Sequence, residues 1–389
     1  MFRLNFLLIF LFLFVNCIST EKTKIIVGAE QPEQYLSLLK EKKVGLVVNN
    51  TSMVENLHLV DFLLSKGVSV TKIFAPEHGF RGDASAGAKI EDGIDSKTGL
   101  SVLSLYGKNR KPTPEHLRNL DIIIFDIQDV GCRFYTYIST LNLVMEACAE
   151  NDLPLLVLDR PNPNGDYVAG PVLEKEFQSF VGMDPIPVVH GCTVGEYALM
   201  VNGEKWHKAG KECNLTVIPV KNYTHKMNYS LPERPSPNLP NDLSIRLYPT
   251  LCFFEATSVS VGRGTDFPFQ VLGGLESGLG DFEFTPGSIP HVAVNPLNKD
   301  QKCYGTDLRQ LEDVPQLTLK YFIQFYEKYA NKEDFLTREI WFNKLAGTAT
   351  VIQQIREGKT EEEIVKSWQP ELEKYKKIRK KYLLYPDFE

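Results

Sequence analysis

The chain has no G-x-G-x-x-G after its first apolar run, KIIVG at residues 24–28, no G-x-x-x-x-G-K-[S/T] and no G-x-S-x-G. Dinucleotide binding, nucleotide binding and an esterase-type serine nucleophile therefore lose their main sequence support. Seven cysteines, Cys17, Cys132, Cys148, Cys192, Cys213, Cys252 and Cys303, are scattered with no C-x-x-C pair. That spacing predicts neither a thiolate zinc site nor a regular disulfide framework, and most are read as buried thiols. The formal net charge of -6 offers no positive surplus for nucleic acid. Internal repeats and low-complexity tracts are absent. What is left is chemistry without metal or cofactor.

The N-terminus, MFRLNFLLIFLFLFVNCIST, has one positive charge at Arg3, an apolar run from about Phe6 to Val15 and polar residues at once after it. This is the pattern of a secretory signal over residues 1–20, too short for a comfortable membrane span. Export to the periplasm or outer membrane of a Gram-negative bacterium is the expectation. Cys17 stands where a bacterial lipoprotein carries its lipidated cysteine, although Phe14, Val15 and Asn16 make a poor version of the small-residue site before it. A lipid anchor there is the one membrane attachment the sequence allows.

At 389 residues, 43% hydrophobic and 24% charged, the chain suits two domains and hence a cleft. Apolar runs at 44–48, 68–74, 101–105, 121–126 and 153–159 alternate with amphipathic helical patterns, and a further helix and strand follow by residue 220. The order predicts an α/β, Rossmann-like doubly wound and mostly parallel sheet over residues 24–240. Residues 231–242, LPERPSPNLPND, read as a surface connection. Glycine- and aromatic-rich sequence and then helices predict a second, smaller α+β domain over 241–389. The basic run KYKKIRKKY reads as the polar face of its last helix.

In open parallel sheets, ligands bind beyond the carboxyl ends of the strands. Four such ends carry polar side chains: Asn49 and Thr51; Glu77 and His78, with Arg81; Asp126, Gln128, Asp129 and Arg133; and Asp159, Arg160, Asn162 and Asn164. Structural readings stand beside each. Asn49 and Thr51 suit a helix cap, Asp126 suits a buried pair with Arg133, and DRPNPNGD suits a proline-stiffened loop. In HGCTVGEYA, Thr193 and Glu196 form a capping box, leaving His190 to face a ligand or a backbone carbonyl. Tyr135 and Tyr137 suit either sugar stacking or the core. VGRGTDFPFQ places Arg263 on a loop of the second domain.

Taken in order, N-x-T, APEHGFRG, FDIQDVGCRFYTY, LDRPNPNG, HGCTVGEYA, VGRGTDFPFQ and RKKYLLY resemble the NamZ-like exo-β-N-acetylmuramidases from about residue 24 to the end. The resemblance implies a Rossmann-like domain and a smaller one with the active site between them. It implies release of N-acetylmuramic acid from the non-reducing end of peptidoglycan-derived saccharides or muropeptides. Glycosidic cleavage needs a proton for the leaving oxygen and negative charge near an oxocarbenium-like centre. The resemblance gives Glu77 the role of general acid, with its pKa raised by desolvation, and His78 as a neighbour in the chemistry. Asp126 is the leading second carboxyl, unless the substrate's 2-acetamido group supplies the nucleophile. The lactyl carboxylate of muramic acid calls for an arginine, with Arg133, Arg160 and Arg263 as candidates and Arg81 behind them. An amidase or esterase using His78 or His190 as base, and a non-catalytic muropeptide-binding protein, are the alternatives.

Overall fold

The computed structural model describes residues 24–80 and 92–389. The expected signal segment, Cys17 and Arg81 lie outside the described residues.

The first lobe is built on β1 (Lys43–Val48), the small hairpin β2 (Met53–Val54) and β3 (Leu57–His58), then β4 (Ser69–Ala75), β5 (Gly93–Ile94), β6 (Ser101–Ser104), β7 (Ile122–Asp126), β8 (Leu155–Leu158) and β9 (Leu215–Ile218). Seven of these form one sheet in the order β5-β6-β4-β1-β7-β8-β9. Only the edge strand β5 runs antiparallel, against β6. The six parallel strands thus follow the doubly wound order 3-2-1-4-5-6, reversing direction between β1 and β7.

The strands are buried on both faces, which is why their sequences read as unbroken apolar runs. Val44, Leu46 and Val48 of β1 pack with Ile122 and Ile124 of β7 beneath Leu59, Val60 and Leu63 of the helix Leu59–Ser65. Val47, Phe74, Ile123 and Phe125 point to the opposite face, under the helices Tyr137–Glu150 and Val194–Gly203. The latter helix starts at the expected capping box of Thr193 and Glu196.

The second lobe holds a three-stranded antiparallel sheet, β10 (Val271–Gly274), β12 (Cys303–Asp307) and β11 (Phe282–Phe284) in that order. Helices follow, ending with Glu361–Arg379. The apolar cluster containing Phe125 and Ile138 continues without a break into Phe253, Phe254, Phe322 and Phe342, so the lobes share one core. The six cysteines among the described residues are free and buried.

Two segments differ from the sequence reading. Residues 231–242 are no surface connection throughout: Ser236, Asn238 and Leu239 are buried, and the Pro235 carbonyl accepts from Tyr135 Oη at 2.7 Å and Tyr137 Oη at 3.2 Å. Proline and asparagine mark irregular backbone there, not exposure. The basic run near the C-terminus is solvated only in part. Arg379 is buried, pairs with Asp387 at 2.8 Å and donates from Nη2 to the Gly191 carbonyl at 2.8 Å.

Candidate active site

β4 ends at Ala75, and the chain turns at once. The Gly79 amide donates to the Pro76 carbonyl at 3.0 Å, which places Glu77 and His78 at the two central positions of a tight turn. His78 has φ 68°, a left-handed conformation in which a turn normally uses Gly or Asn. A histidine held there stores strain, which tends to gather at functional sites. Glu77 is half-buried, and Thr136 Oγ1 donates to its Oε2 at 2.8 Å. Tyr106, on the loop after β6, also hydrogen-bonds its carboxyl group; burial first, then the charge of Glu77, push the Tyr106 phenol well above its usual pKa. A hydroxyl can donate to a carboxylate or accept from a carboxylic acid. Thr136 and Tyr106 can therefore hold the Glu77 side chain in place through both halves of a proton-transfer cycle.

Glu77 and His78 line a cavity of about 1180 Å³ between the lobes, large for a small-molecule site. Aromatic rings stand on both sides of it: Tyr135, Tyr137 and Phe180 from the first lobe, with Phe254, Phe269 and Trp341 from the second. Tyr135 and Tyr137 meet edge to face at 4.9 Å and are themselves buried, so each belongs to both the core and the wall. Phe269 is a second residue at the site with a left-handed backbone, at φ 56°.

Arg263 also reaches the cavity, where it pairs with Glu255 at 2.6 Å and lies over the Phe269 ring at 4.9 Å. Glu255 is a lining carboxyl that the sequence reading missed, as are the cations Arg110, Arg338 and Lys344. No motif marks them. They come together only when the second lobe closes over the first.

Other candidates are placed elsewhere. Asp126, expected to pair with Arg133 or to serve in catalysis, is fully buried off the cavity and pairs with Arg160, whose Nε and Nη2 lie 2.6 and 2.9 Å from its two oxygens. Arg160 is thereby committed, and its Nη2 also donates to the Met53 carbonyl at 3.0 Å. Arg133 is buried, with its guanidinium donating to the carbonyls of Pro171, Ile186 and Leu345. Neither arginine faces the cavity, so neither is placed to receive a lactyl carboxylate there.

Asn49, Thr51, Gln128, Asp129 and Asn162 form a buried network that ties the strand-end loops together. The Asn49 Oδ1 accepts from Thr51, Thr51 Oγ1 accepts from the Gln128 amide at 3.0 Å, and Gln128 Nε2 donates to the Pro161 carbonyl at 2.7 Å. Asn162 Nδ2 donates to the Cys192 carbonyl at 2.9 Å. Burial raises the Asp129 carboxyl to about 7, against the pull of backbone amides that donate to it. Asp159 is raised by burial to about 6 and accepts from Thr193, the Gly195 amide and Tyr385. His190 lies under the last helix, where burial and then the charge of Arg379 lower it to about 3. It accepts from the Cys192 amide and does not line the cavity. Among the described residues no group of three or more His, Cys, Asp or Glu is arranged to hold a metal ion.

The sequence matches the N-terminal domain of the exo-β-N-acetylmuramidase NamZ over residues 44–243 and its C-terminal domain over 246–385. The chain belongs to the NamZ family. It is 41% identical over 378 residues to the peptidoglycan β-N-acetylmuramidase NamZ of Bacillus subtilis strain 168, covering 90% of this chain and 89% of that protein. Two crystal structures of DUF1343 family proteins from Bacteroides fragilis NCTC 9343 share the fold. One, at 47% identity, has a TM-score of 0.87 and covers 94% of this chain and all of the other. The second, at 31% identity, has a TM-score of 0.78 and covers 93% and 99%. The NamZ resemblance and the doubly wound fold expected from the sequence are thus confirmed.

Proposed function

We propose that this NamZ-family chain is an exo-acting glycoside hydrolase that releases N-acetylmuramic acid from the non-reducing end of peptidoglycan fragments. The observation that carries the reading is the placement of Glu77: a half-buried carboxyl fixed by two hydroxyl partners on the wall of a large, aromatic inter-lobe cavity. Such a group delivers a proton to the glycosidic oxygen while the bond to the anomeric carbon breaks, and water supplies the hydroxyl that replaces the leaving sugar. Aromatic faces suit the apolar face of a pyranose ring.

Glu255 is the second carboxyl among the described lining residues. Its pairing with Arg263 fixes its position and offsets much of its charge. We assign it to position the sugar, with the 2-acetamido group of the substrate facing the developing cation. A binding protein without catalysis has no use for a carboxyl held by Thr136 and Tyr106. The test uses a chromogenic β-N-acetylmuramic acid glycoside beside its N-acetylglucosamine analogue. Hydrolysis of the first, and much slower hydrolysis of the second, is expected; failure to hydrolyse either overturns the reading.

We also propose export, supported by the pattern of the first 20 residues, with action on wall fragments in the periplasm or at the outer membrane and a role in their recycling. Sequencing the N-terminus of the mature protein tests this, and loss of label from a fatty-acid-fed culture on Cys17→Ala tests the lipid anchor.

A further inference from the structure

N-Acetylmuramic acid differs from N-acetylglucosamine by a lactyl ether on C3 that ends in a carboxylate. C3 is two ring carbons from the anomeric centre. A cation that recognises the carboxylate must then lie within a sugar ring's breadth of Glu77, face the cavity and be free of other anions. The buried Arg133 and Arg160 fail the second requirement and Arg263 fails the third. Arg338 packs along the Glu255 backbone, donating to its carbonyl.

We infer that Arg110 receives the lactyl carboxylate and sets the preference for muramic acid; the inference rests on the exo-muramidase reading above. Arg110 lines the cavity and forms no ion pair or hydrogen bond among the described residues. Its guanidinium lies over the Phe180 ring at 4.3 Å, which fixes the plane of the fork while leaving its N–H edge open. It is close enough to lower the pKa of the Tyr106 phenol by its charge, and Tyr106 hydrogen-bonds Glu77. Tyr106 and Phe180 pack with centroids 6.3 Å apart. Two rings, Phe180 and Tyr106, thus link the anion-binding fork to the proton donor. An arginine there can meet a carboxylate through two parallel hydrogen bonds, which an ammonium cannot match. Lys344, the other lining cation with no described partner, sits on the second-lobe helix Glu339–Ala346 and offers only a point charge.

The experiment compares kcat/KM on para-nitrophenyl β-N-acetylmuraminide and on the β-N-acetylglucosaminide for the wild type, Arg110→Gln, Arg110→Lys and Lys344→Met. Titration with free N-acetylmuramic acid and with its lactyl methyl ester accompanies it. Arg110→Gln should lose roughly 10- to 100-fold on the muraminide and little on the glucosaminide, with Arg110→Lys between. The wild type should bind the free acid more tightly than the ester, and Arg110→Gln should bind both alike. Arg110 is exposed, so the variants should melt as the wild type does. A muraminide preference unchanged in Arg110→Gln, or lost in Lys344→Met instead, overturns the assignment. A wild type inactive on both glycosides overturns the function while its preference for acid over ester still tests Arg110.

Discussion

Removing the carboxylate of Asp126 should cost stability and spare chemistry. Asp126 is 0% and Arg160 3% exposed, so Asp126→Ala leaves a guanidinium buried with neither of its two carboxylate hydrogen bonds. Breaking a buried pair from one side costs about 3 to 5 kcal/mol. The lobes share one apolar core, so unfolding is treated as one cooperative event. With an unfolding entropy of about 2.1 cal/mol/K per residue, the whole chain carries roughly 0.8 kcal/mol/K, and the melting temperature should fall by roughly 4 to 6 °C. Replacing both partners, Asp126→Leu with Arg160→Met, should recover most of that loss, because no charge is then stranded. Differential scanning calorimetry gives the stability, and turnover of the muraminide well below the transition gives the chemistry, expected within about tenfold of wild type. An Asp126→Ala protein that melts like the wild type yet has lost turnover by orders of magnitude would refute the reasoning and return Asp126 to the reaction.

Glu77→Gln should lower kcat by about 10²- to 10⁴-fold with unchanged circular dichroism, whereas an active variant removes Glu77 from the role of acid. Thr136→Ala and Tyr106→Phe each free one side of that carboxyl and should lower kcat more than they raise KM, measurable on the same glycoside. Asp129 binds its proton more tightly folded, at about 7, than unfolded, so the folded state holds the extra proton between about pH 4 and 7 and stability falls as pH rises across that window. Asp129→Asn should flatten this slope in melting temperature; an unaltered slope contradicts the raised value. His190 acts in the opposite sense. Lowered to about 3, it favours the fold above the ordinary histidine range and loses that contribution as pH falls, so His190→Gln should remove part of the acid-side loss.

The parallel strands were legible because burial on both faces leaves continuous apolar runs, and Glu77 stood out because a proline and a glycine isolate it at a strand end. The strand-end rule found the right side of the sheet but could not separate a site from a lock. Three of the four polar clusters bond mainly to one another. Asp126 takes Arg160 and not Arg133 because β7 and β8 are parallel neighbours, with Phe125 opposite Val157, so residues leaving the two strands emerge side by side. Arg133 instead turns toward Pro171 and Ile186. Chain order alone does not distinguish these partners. Glu255, Lys344 and Arg338 were out of reach because they join Glu77 only through tertiary packing.

After building the second lobe, the chain comes home. The hydroxyl of Tyr385 bonds Asp159 at the end of β8, Tyr375 donates to the His190 carbonyl, and the His225 amide donates to the Pro386 carbonyl. The second lobe is consequently tied to the first where its chain ends as well as where it begins, like a handle riveted at both ends. Widening the gap between the lobes therefore requires these contacts to give as well as the first connection. Cutting the last few residues would loosen the far rivet and let that gap breathe.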